Sequence, residues 1–462
     1  MLKLYNSLSN TVEEFTPLKD NKVSMYVCGP TVYDKAHLGH ARCYITWDVL
    51  YRYLKFSGYE TTYCRNVTDV DDKILKKADE AGVKPEEIAE KYYISFSNSM
   101  KNLNCEKPTI EPRATKTIGE MISIIKKLIE KGHAYQVDSD VYFDVKSFKE
   151  YGKLSNQPID DLMAGARVEM GDKKKSPLDF ALWKEDKAHG YNSPWGVGRP
   201  GWHIECSAMS RKFLGEEIDI HAGGADLMFP HHENEIAQSE CANGCRFVKY
   251  FLHNGFVTIN KEKMSKSLGN FLTIDDLLEK YDSNAIRFFI LTNHYRMPVE
   301  FTELALDSAK AGVKRLINAG TLGNLKDEEA ISEFKLAMDD DLNTSKALAV
   351  LFSLVDKFKK TNDVKYANTI HMLGSVLGFN FDLKEKKEIS EAELKDKIAS
   401  IYSSFEYDEN MEAKAVLEDL ISKRNEARLS KNWAMSDKIR DELKAVGIIL
   451  KDTKEATTWE AE

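Results

Sequence analysis

Two histidines bracketing a glycine, His37-Leu38-Gly39-His40, follow the apolar run Met25-Tyr26-Val27-Cys28-Gly29-Pro30, and Lys263-Met264-Ser265-Lys266-Ser267 comes far downstream. These residue types suit a nucleoside triphosphate. A strand, a turn and a helix beginning near His37 aim unpaired backbone N–H groups and a positive dipole end at an anion. Gly39 has no Cβ, so a flat adenine can lie against the backbone there. His37 and His40, three apart, share a helix face and can both donate to phosphate oxygens that gain charge during a reaction. Lys263 and Lys266 are point charges on flexible stems in a small polar loop, suited to closing over the β- and γ-phosphates. Each piece alone has a bland explanation, a buried histidine pair or a solvated basic loop. Together, in this order and after a strand, they point to ATP.

A metal is the second chemistry. In Phe229-Pro230-His231-His232-Glu233-Asn234-Glu235 the proline suits a first helical turn, so His231 and Glu235 fall one turn apart on one face. An imidazole nitrogen and a carboxylate oxygen so placed can reach one ion, and Cys28 and Cys206 would complete a tetrahedral set. His232 and Glu233, between them, are expected to orient ligands. No CxxC signature supports the set, and buried cysteines also serve as small hydrophobes, so residue types alone leave both readings open. Cys241 and Cys245 lack partners for a second site, and Cys43, Cys64 and Cys105 match no ligand position.

These groups need a scaffold. Val23 to Val27 and Glu60 to Cys64 read as parallel strands joined by a helix from about His37 to Phe56. Ile118, Met121, Ile122, Ile125, Leu128 and Ile129 form a helical stripe ending at Gly132; His133 to Val145 is strand-like and Lys153 to Pro177 loop-rich. Residues 115–194 therefore read as an insertion between two halves of a nucleotide-binding sheet, with Lys173-Lys174-Lys175 a solvated loop. After Pro298 the pattern is almost wholly helical; Asp340-Asp341-Leu342-Asn343-Thr344 caps a long helix, and Leu383 to Ile389 is a charged linker. The fold class is α/β, a Rossmann-type parallel-sheet domain with an insertion, followed by all-α C-terminal domains.

With 462 residues several domains are expected, and 42% hydrophobic residues suffice for packed cores. Seven cysteines without framework spacing argue for reduced thiols and a cytoplasmic home. The N-terminus reads as neither signal nor transit segment, and the best apolar run, Ala347 to Val355, is far short of a membrane span. A net charge of −9 first opposes a nucleic-acid partner, but a local patch is what binds phosphates. From Lys423 to Lys454 nine Lys and Arg face five Asp and Glu. There Trp433 could stack an unpaired base while Arg428, Asp437 and Asp452 bond base edges, as single-stranded RNA loops are read. A solvated amphipathic helix with a core tryptophan is the alternative.

His37-Leu38-Gly39-His40 and Lys263 to Ser267 resemble the HIGH and KMSKS signatures of class I aminoacyl-tRNA synthetases, with Leu38 for isoleucine. The closer resemblance is to the cysteinyl-tRNA synthetases. It rests on Met25 to Asp34, Arg65-Asn66-Val67-Thr68-Asp69-Val70-Asp71-Asp72-Lys73, Gly201-Trp202-His203-Ile204-Glu205-Cys206-Ser207-Ala208-Met209 and Phe229 to Glu235, and runs from Leu4 to Trp459. Ala222, where relatives carry glycine, and the acidic end Glu460-Ala461-Glu462 depart from the pattern. The resemblance implies zinc on Cys28, Cys206, His231 and Glu235, and a substrate pocket of Thr68, Trp202, His221 and Asp226. His37, His40, Lys263 and Lys266 would be catalytic, with Gly39, His37, His40 and Lys266 on ATP and Mg²⁺ carried by the nucleotide. It implies activation of cysteine as an adenylate and transfer to tRNA, with zinc selecting the thiolate over a hydroxyl, a distinction pocket shape makes poorly. A monomer is expected. The domains would be 1–114 and 195–297 (catalytic halves, the second with the KMSKS loop), 115–194 (insertion), 298–382 (helical, stem-contact) and 390–462 (anticodon-binding). Three rivals are a zinc-dependent cysteine:aminosugar ligase, which should lack the last domain, a non-enzymatic RNA-binding relative and a zinc hydrolase. The intact lysines and histidines oppose the last two.

Overall fold

The computed structural model describes residues 1–156, 173–259, 262–263, 271–383, 391–408, 410–452 and 457–461, and the chain divides into two compact units, Met1–Lys384 and Glu385–Glu462.

The first unit opens with a hairpin, β1 (Lys3–Asn6) and β2 (Thr11–Glu14). Then follow β3 (Lys22–Val27), α1 (Leu38–Phe56), β4 (Glu60–Arg65), α2 (Asp72–Ala81), α3 (Pro85–Asn102) and α4 (Ile118–Glu130). β3 and β4 pair in parallel from Lys22 and Glu60 to Val27 and Arg65, as expected from their apolar runs. α1 is buried along most of its length, Trp47, Leu50 and Leu54 included, because it crosses the sheet and is covered by later helices.

Gly132, at φ 79°, ends α4. The strand-like stretch after it is a hairpin rather than one strand: Asp138 takes φ 55° and turns β5 (Ala134–Val137) back onto β6 (Asp140–Phe143). β7 (Phe180–Glu185), β8 (Tyr191–Ser193) and β9 (Gly196–Pro200) extend it into an antiparallel sheet of order β5-β6-β7-β9-β8. Lys173, at the start of this returning chain, pairs with Asp138 and Asp140 at 3.3 and 3.2 Å.

The chain re-enters the central layer through α5 (Trp202–Phe213), β10 (Ile218–Gly224), α6 (Glu233–Asn243) and β11 (Val248–Asn254). The central sheet is wholly parallel, in the order β11-β10-β3-β4. β10 is buried nearly throughout, as a central parallel strand covered on both faces must be. β12 (Val257–Ile259), β13 (Glu262–Lys263), α7 (Ile274–Lys280), α8 (Ser283–Leu291) and β14 (Val299–Phe301) follow, β12 pairing both β13 and β14. Helices at Glu303–Ala319, Glu328–Asp339, Thr344–Thr361 and Val364–Val376 complete the unit, the third N-capped by Asn343.

The second unit has helices at Glu391–Lys397, Ala399–Ser404, Ala413–Leu429 and Trp433–Ala445 around Leu394, Ile401, Leu417, Leu420, Ile439 and Leu443. To this helical body the structure adds an antiparallel hairpin, Ile448–Asp452 with Thr457–Ala461.

Candidate active site and metal centre

A cavity of about 380 Å³ opens where β3, β10 and β11 end, the edge at which parallel sheets bind ligands. One wall is the start of α1. His37 is its N-cap: Nδ1 accepts from Gly39 N at 3.1 Å, and His40 Nδ1 accepts from His37 N at 3.2 Å. Both Nδ1 atoms being acceptors, each neutral ring carries its proton on Nε2. The rings stack at 3.8 Å and 29°. Gly39 lines the same wall, and Asn254 to Val257 form another. Phe271 sits edge-on to His37 at 4.9 Å, and Leu38 N donates to Leu272 O (3.0 Å) while Ile274 N donates to Ala36 O (2.9 Å). The segment after the KMSKS-like loop is thus strapped to the entry of α1. Lys263 lies on β13, paired with Thr258. Its side chain, and the whole of Lys266, fall outside the described residues.

Below the cavity Cys28, Cys206, His231 and Glu235 converge from β3's end, α5, the turn before α6 and α6 itself, all buried. Zinc at its ordinary bond lengths demands tetrahedral edges of about 3.8 Å for S–S, about 3.6 Å for S–N and S–O and about 3.4 Å for N–O. The observed separations are 3.9 Å (Cys28 to Cys206), 3.6 Å (Cys206 to His231 Nε2), 3.8 Å (Cys28 to Glu235 Oε1) and 3.1 Å (His231 Nε2 to Glu235 Oε1). Three of the four lie within about 0.2 Å of those edges and the N–O separation is about 0.3 Å shorter, so the donor set suits a soft ion of that size with a small opening of the His231–Glu235 edge. A second quartet, Cys28, His221, His232 and Glu235, also converges. There His221 Nε2 lies 2.8 Å from Glu235 Oε2, a hydrogen-bond length well under the N–O edge about an ion, and His232 Nε2 lies 3.2 Å from Cys28 Sγ. His221 and His232 therefore orient ligands.

The remaining polar atoms fix the tautomers. His231 Nδ1 is 2.8 Å from His203 Nδ1, and with Nε2 on an ion it would be the donor of that bond. Ser7 Oγ, His253, His232 and Cys28 form a chain of links at 2.8, 2.8 and 3.2 Å, ending on the sulfur. Burial holds His231 and His232 well below the ordinary imidazole range and His203 down to about 4, so all stay neutral. Burial, then Cys206 and Glu235 alongside, pushes the Cys28 thiol well up; only a cation at this point makes its thiolate favourable. Glu233 corrects an expectation. It orients no ligand but accepts from the backbone N–H groups of Gly152, Leu154 and Ser155, pinning the insertion to α6. Pro230 precedes α6, since Phe229 is extended (φ −134°, ψ 134°), yet His231 and Glu235 still lie one turn apart.

Of the four residues expected around a substrate, Trp202 and Asp226 line the cavity. Trp202, 41% exposed, stacks on His231 at 4.1 Å. Thr68 and His221 stand behind the wall: Thr68 donates to Glu205 at 2.6 Å, and His221 is fully buried against Glu235. Asn66, Glu205, His203 and His253 are participants that the sequence reading did not single out. Asn66 Oδ1 accepts from Gly29 N at 2.7 Å, shaping the turn after Cys28. In the second unit Arg428, Trp433 and Asp437 are all exposed, Trp433 at 59%, at the junction of its two longest helices. Asp452 ends the first hairpin strand; its side chain is outside the described residues.

Residues 14–311 match the class I (C) tRNA synthetase catalytic domain, 333–382 a DALR domain and 412–459 the cysteinyl-tRNA ligase anticodon binding domain. Curated relatives include the cysteine–tRNA ligases of Pelobacter propionicus (46% identical), Geobacter metallireducens (47%) and Haemophilus influenzae (47%), each alignment covering 99% of both chains. Among solved structures, methionyl-tRNA synthetase of Mycobacterium tuberculosis with methionyl-adenylate superposes with TM-score 0.57 at 14% identity, over 77% of this chain and 89% of that one. The ternary LeuRS–tRNA–LeuAMS complex of Agrobacterium radiobacter K84 gives 0.54 at 11%, over 79% and 84%. Those two likenesses concern the fold; the relatives and the catalytic-domain match establish that the chain belongs to the cysteine–tRNA ligase family.

Proposed function

We propose that this chain joins L-cysteine to the 3′-terminal ribose of its tRNA at the expense of ATP, in two steps within the cavity. The cysteine carboxylate attacks the α-phosphate in line and pyrophosphate leaves; a ribose hydroxyl then attacks the mixed anhydride and AMP leaves. Neither step needs a protein nucleophile, so positioning and charge stabilisation carry the rate. His37 and His40 present Nε2–H donors to phosphate oxygens, Gly39 lets the base approach α1, and Lys263 and Lys266 neutralise the β- and γ-phosphates. Asp226 takes the substrate ammonium and Trp202 covers its side chain. Mg²⁺ arrives with the nucleotide. Zinc held by Cys28, Cys206, His231 and Glu235 supplies a thiophilic Lewis acid that distinguishes a thiol from a hydroxyl.

The observation that carries this reading is the four-donor set, close to zinc's tetrahedral edges, whose Cys28 lines the same cavity as His37 and His40. The second unit, with Arg428, Trp433, Asp437 and Asp452, is assigned to the anticodon; its match to an anticodon binding domain supports this over an aminosugar acceptor. The chain works as a cytoplasmic monomer on this reading; its seven free cysteines support the reducing compartment, and among the described residues no helix is long and apolar enough to cross a membrane. The test is charging of total tRNA with labelled cysteine or serine, before and after chelation. Acid-precipitable cysteine but not serine, lost on chelation, is expected. Cysteine-dependent pyrophosphate exchange without charged tRNA would transfer the assignment to the aminosugar ligase, and silence in both assays would refute it.

A further inference from the structure

Arg42 lies two residues beyond His40 and is almost completely buried, 1% exposed, with no carboxylate at ion-pair distance among the described residues. Its guanidinium is spent on one stretch of backbone instead. Nη1 donates to Ile290 O at 2.8 Å, and Nη2 to His294 O, Tyr295 O and Met297 O at 2.9, 3.0 and 3.1 Å. A buried cation without a counter-charge is costly, and an apolar side chain would fill the space as well, so the carbonyl grip itself is what the position requires. A planar fork with several donors can hold the last turn of α8 and three carbonyls of the turn after it at once.

The gripped turn is also the seat of the opposite cavity wall. Gly255 N donates to Tyr295 O at 2.8 Å, and Val299 N to Phe256 O at 2.9 Å. The fit at Gly255 is so close that a Cβ there would stand 2.5 Å from Met297 O and 2.8 Å from Arg296 O. From the far side Asp341 accepts from Tyr295 Oη and Arg296 Nε, both at 2.8 Å. The turn is therefore a pin between two walls of the cavity, α1 with His37, Gly39 and His40 on one side and Asn254 to Val257 on the other.

We infer that Arg42 is a positioning residue of the nucleotide subsite: by tying α1 to the 290–297 turn it sets the width of the slot between the His37–His40 wall and the Asn254–Val257 wall. The inference rests on the reading of this cavity as the ATP site. Arg42 also lines the cavity, but both of its Nη atoms are engaged by the carbonyls of this stretch, so it acts through the spacing of the groups around it. Because β14 continues from the turn and pairs β12, which pairs β13, the same pin fixes the base of the hairpin that carries Lys263. Cysteine, on the same reading, is held by groups on the ends of β3, α5 and the segment after β10, the last of which adjoins the wall through the pairing of Gly224 with Asn254.

The experiment compares the wild type with Arg42→Lys and Gly255→Ala, the second wedging the same joint from the other wall. Circular dichroism and zinc content report folding. ATP affinity is measured by equilibrium dialysis, and KM for ATP and for cysteine by pyrophosphate exchange. Both variants are expected to weaken ATP roughly tenfold while KM for cysteine stays within about twofold. A folded Arg42→Lys with wild-type ATP affinity, or with both KM values rising together, overturns the inference. If Arg42→Lys does not fold, an unchanged ATP affinity in Gly255→Ala does so. A wild type that binds ATP but shows no cysteine-dependent exchange refutes the functional reading instead, and the dialysis comparison still decides the role of Arg42.

Discussion

His221 is the residue whose substitution separates two accounts of the site. A contact with bound cysteine requires it at the cavity wall, whereas the structure puts it behind the wall, fully buried, with Nε2–H donating to Glu235 Oε2 at 2.8 Å. Its ring lies 5.3 Å from Phe251, nearly parallel, and edge-on to Tyr26 at 5.1 Å, so His221→Phe keeps an aromatic of similar shape there. What it removes is the donor. A buried carboxylate oxygen stripped of its partner costs about 1–3 kcal/mol, which corresponds to a hold on the ion weaker by roughly 5- to 150-fold. Loss of one orienting partner at metal sites generally costs about 10- to 100-fold in affinity. Gln places an N–H near the position of imidazole Nε2, so His221→Gln should recover most of the loss. The assay is zinc competition against a chromogenic chelator, which needs no substrate. Weaker zinc in His221→Phe, recovered in His221→Gln, is the expected pattern. A folded His221→Phe with zinc affinity within about twofold of wild type, and a raised KM for cysteine, would refute the orienting role and return His221 to the substrate wall.

Three further outcomes follow from the coordinates. Gly29→Ala places a Cβ 1.5 Å from Asn66 O, a backbone atom that no rotamer change can move, so the turn after Cys28 must shift; reduced zinc content and a lower melting temperature are expected, and a wild-type value of both would show the turn to be pliant. Trp433→Ala, at an exposed position, should leave folding and pyrophosphate exchange untouched while raising KM for tRNA about tenfold or more, the scale of one lost base stack; unchanged charging would remove Trp433 from the RNA contact. Burial holds the His253 imidazole down to about 3, so between there and the ordinary value near 6.5 the unfolded chain binds a proton that the native chain refuses. That contribution to stability is whole above about pH 6.5 and is lost as pH falls, by up to about 1.4 kcal/mol per pH unit. Melting temperatures at pH 7 and pH 5 should therefore diverge less in His253→Gln than in wild type, and equal divergence would count against it.

Sequence spacing exposed the parts of this site that are local. His37 to His40 lie within one turn at the expected helix start, although their mutual capping bonds came only with the structure, and His231 and Glu235 meet because four residues make one helical turn. The parallel pairing of β3 with β4 was legible for a similar reason: two apolar runs flank one helix. What spacing could not supply is the pairing of Cys28 with Cys206, 178 residues apart, which exists only because β10 brings α5 beside the end of β3. The insertion's strand order, β5-β6-β7-β9-β8, is likewise set by packing, and only the turn residue Asp138 announced its first hairpin. Yet some of the supporting contacts left a signal. β10 reads Ile218-Asp219-Ile220-His221-Ala222, and a strand with so little room for solvent cannot carry Asp219 and His221 without partners. Asp219 finds Ser24, through both its backbone N–H and its hydroxyl, and His221 finds Glu235. Arg42 gave the same kind of signal, a cation on a helix whose neighbours Ala41, Tyr44 and Ile45 belong to the core. Polar residues embedded in apolar runs therefore mark the second layer of this site more sharply than the motifs do, because each must have a partner, and that partner is what holds the motif in place.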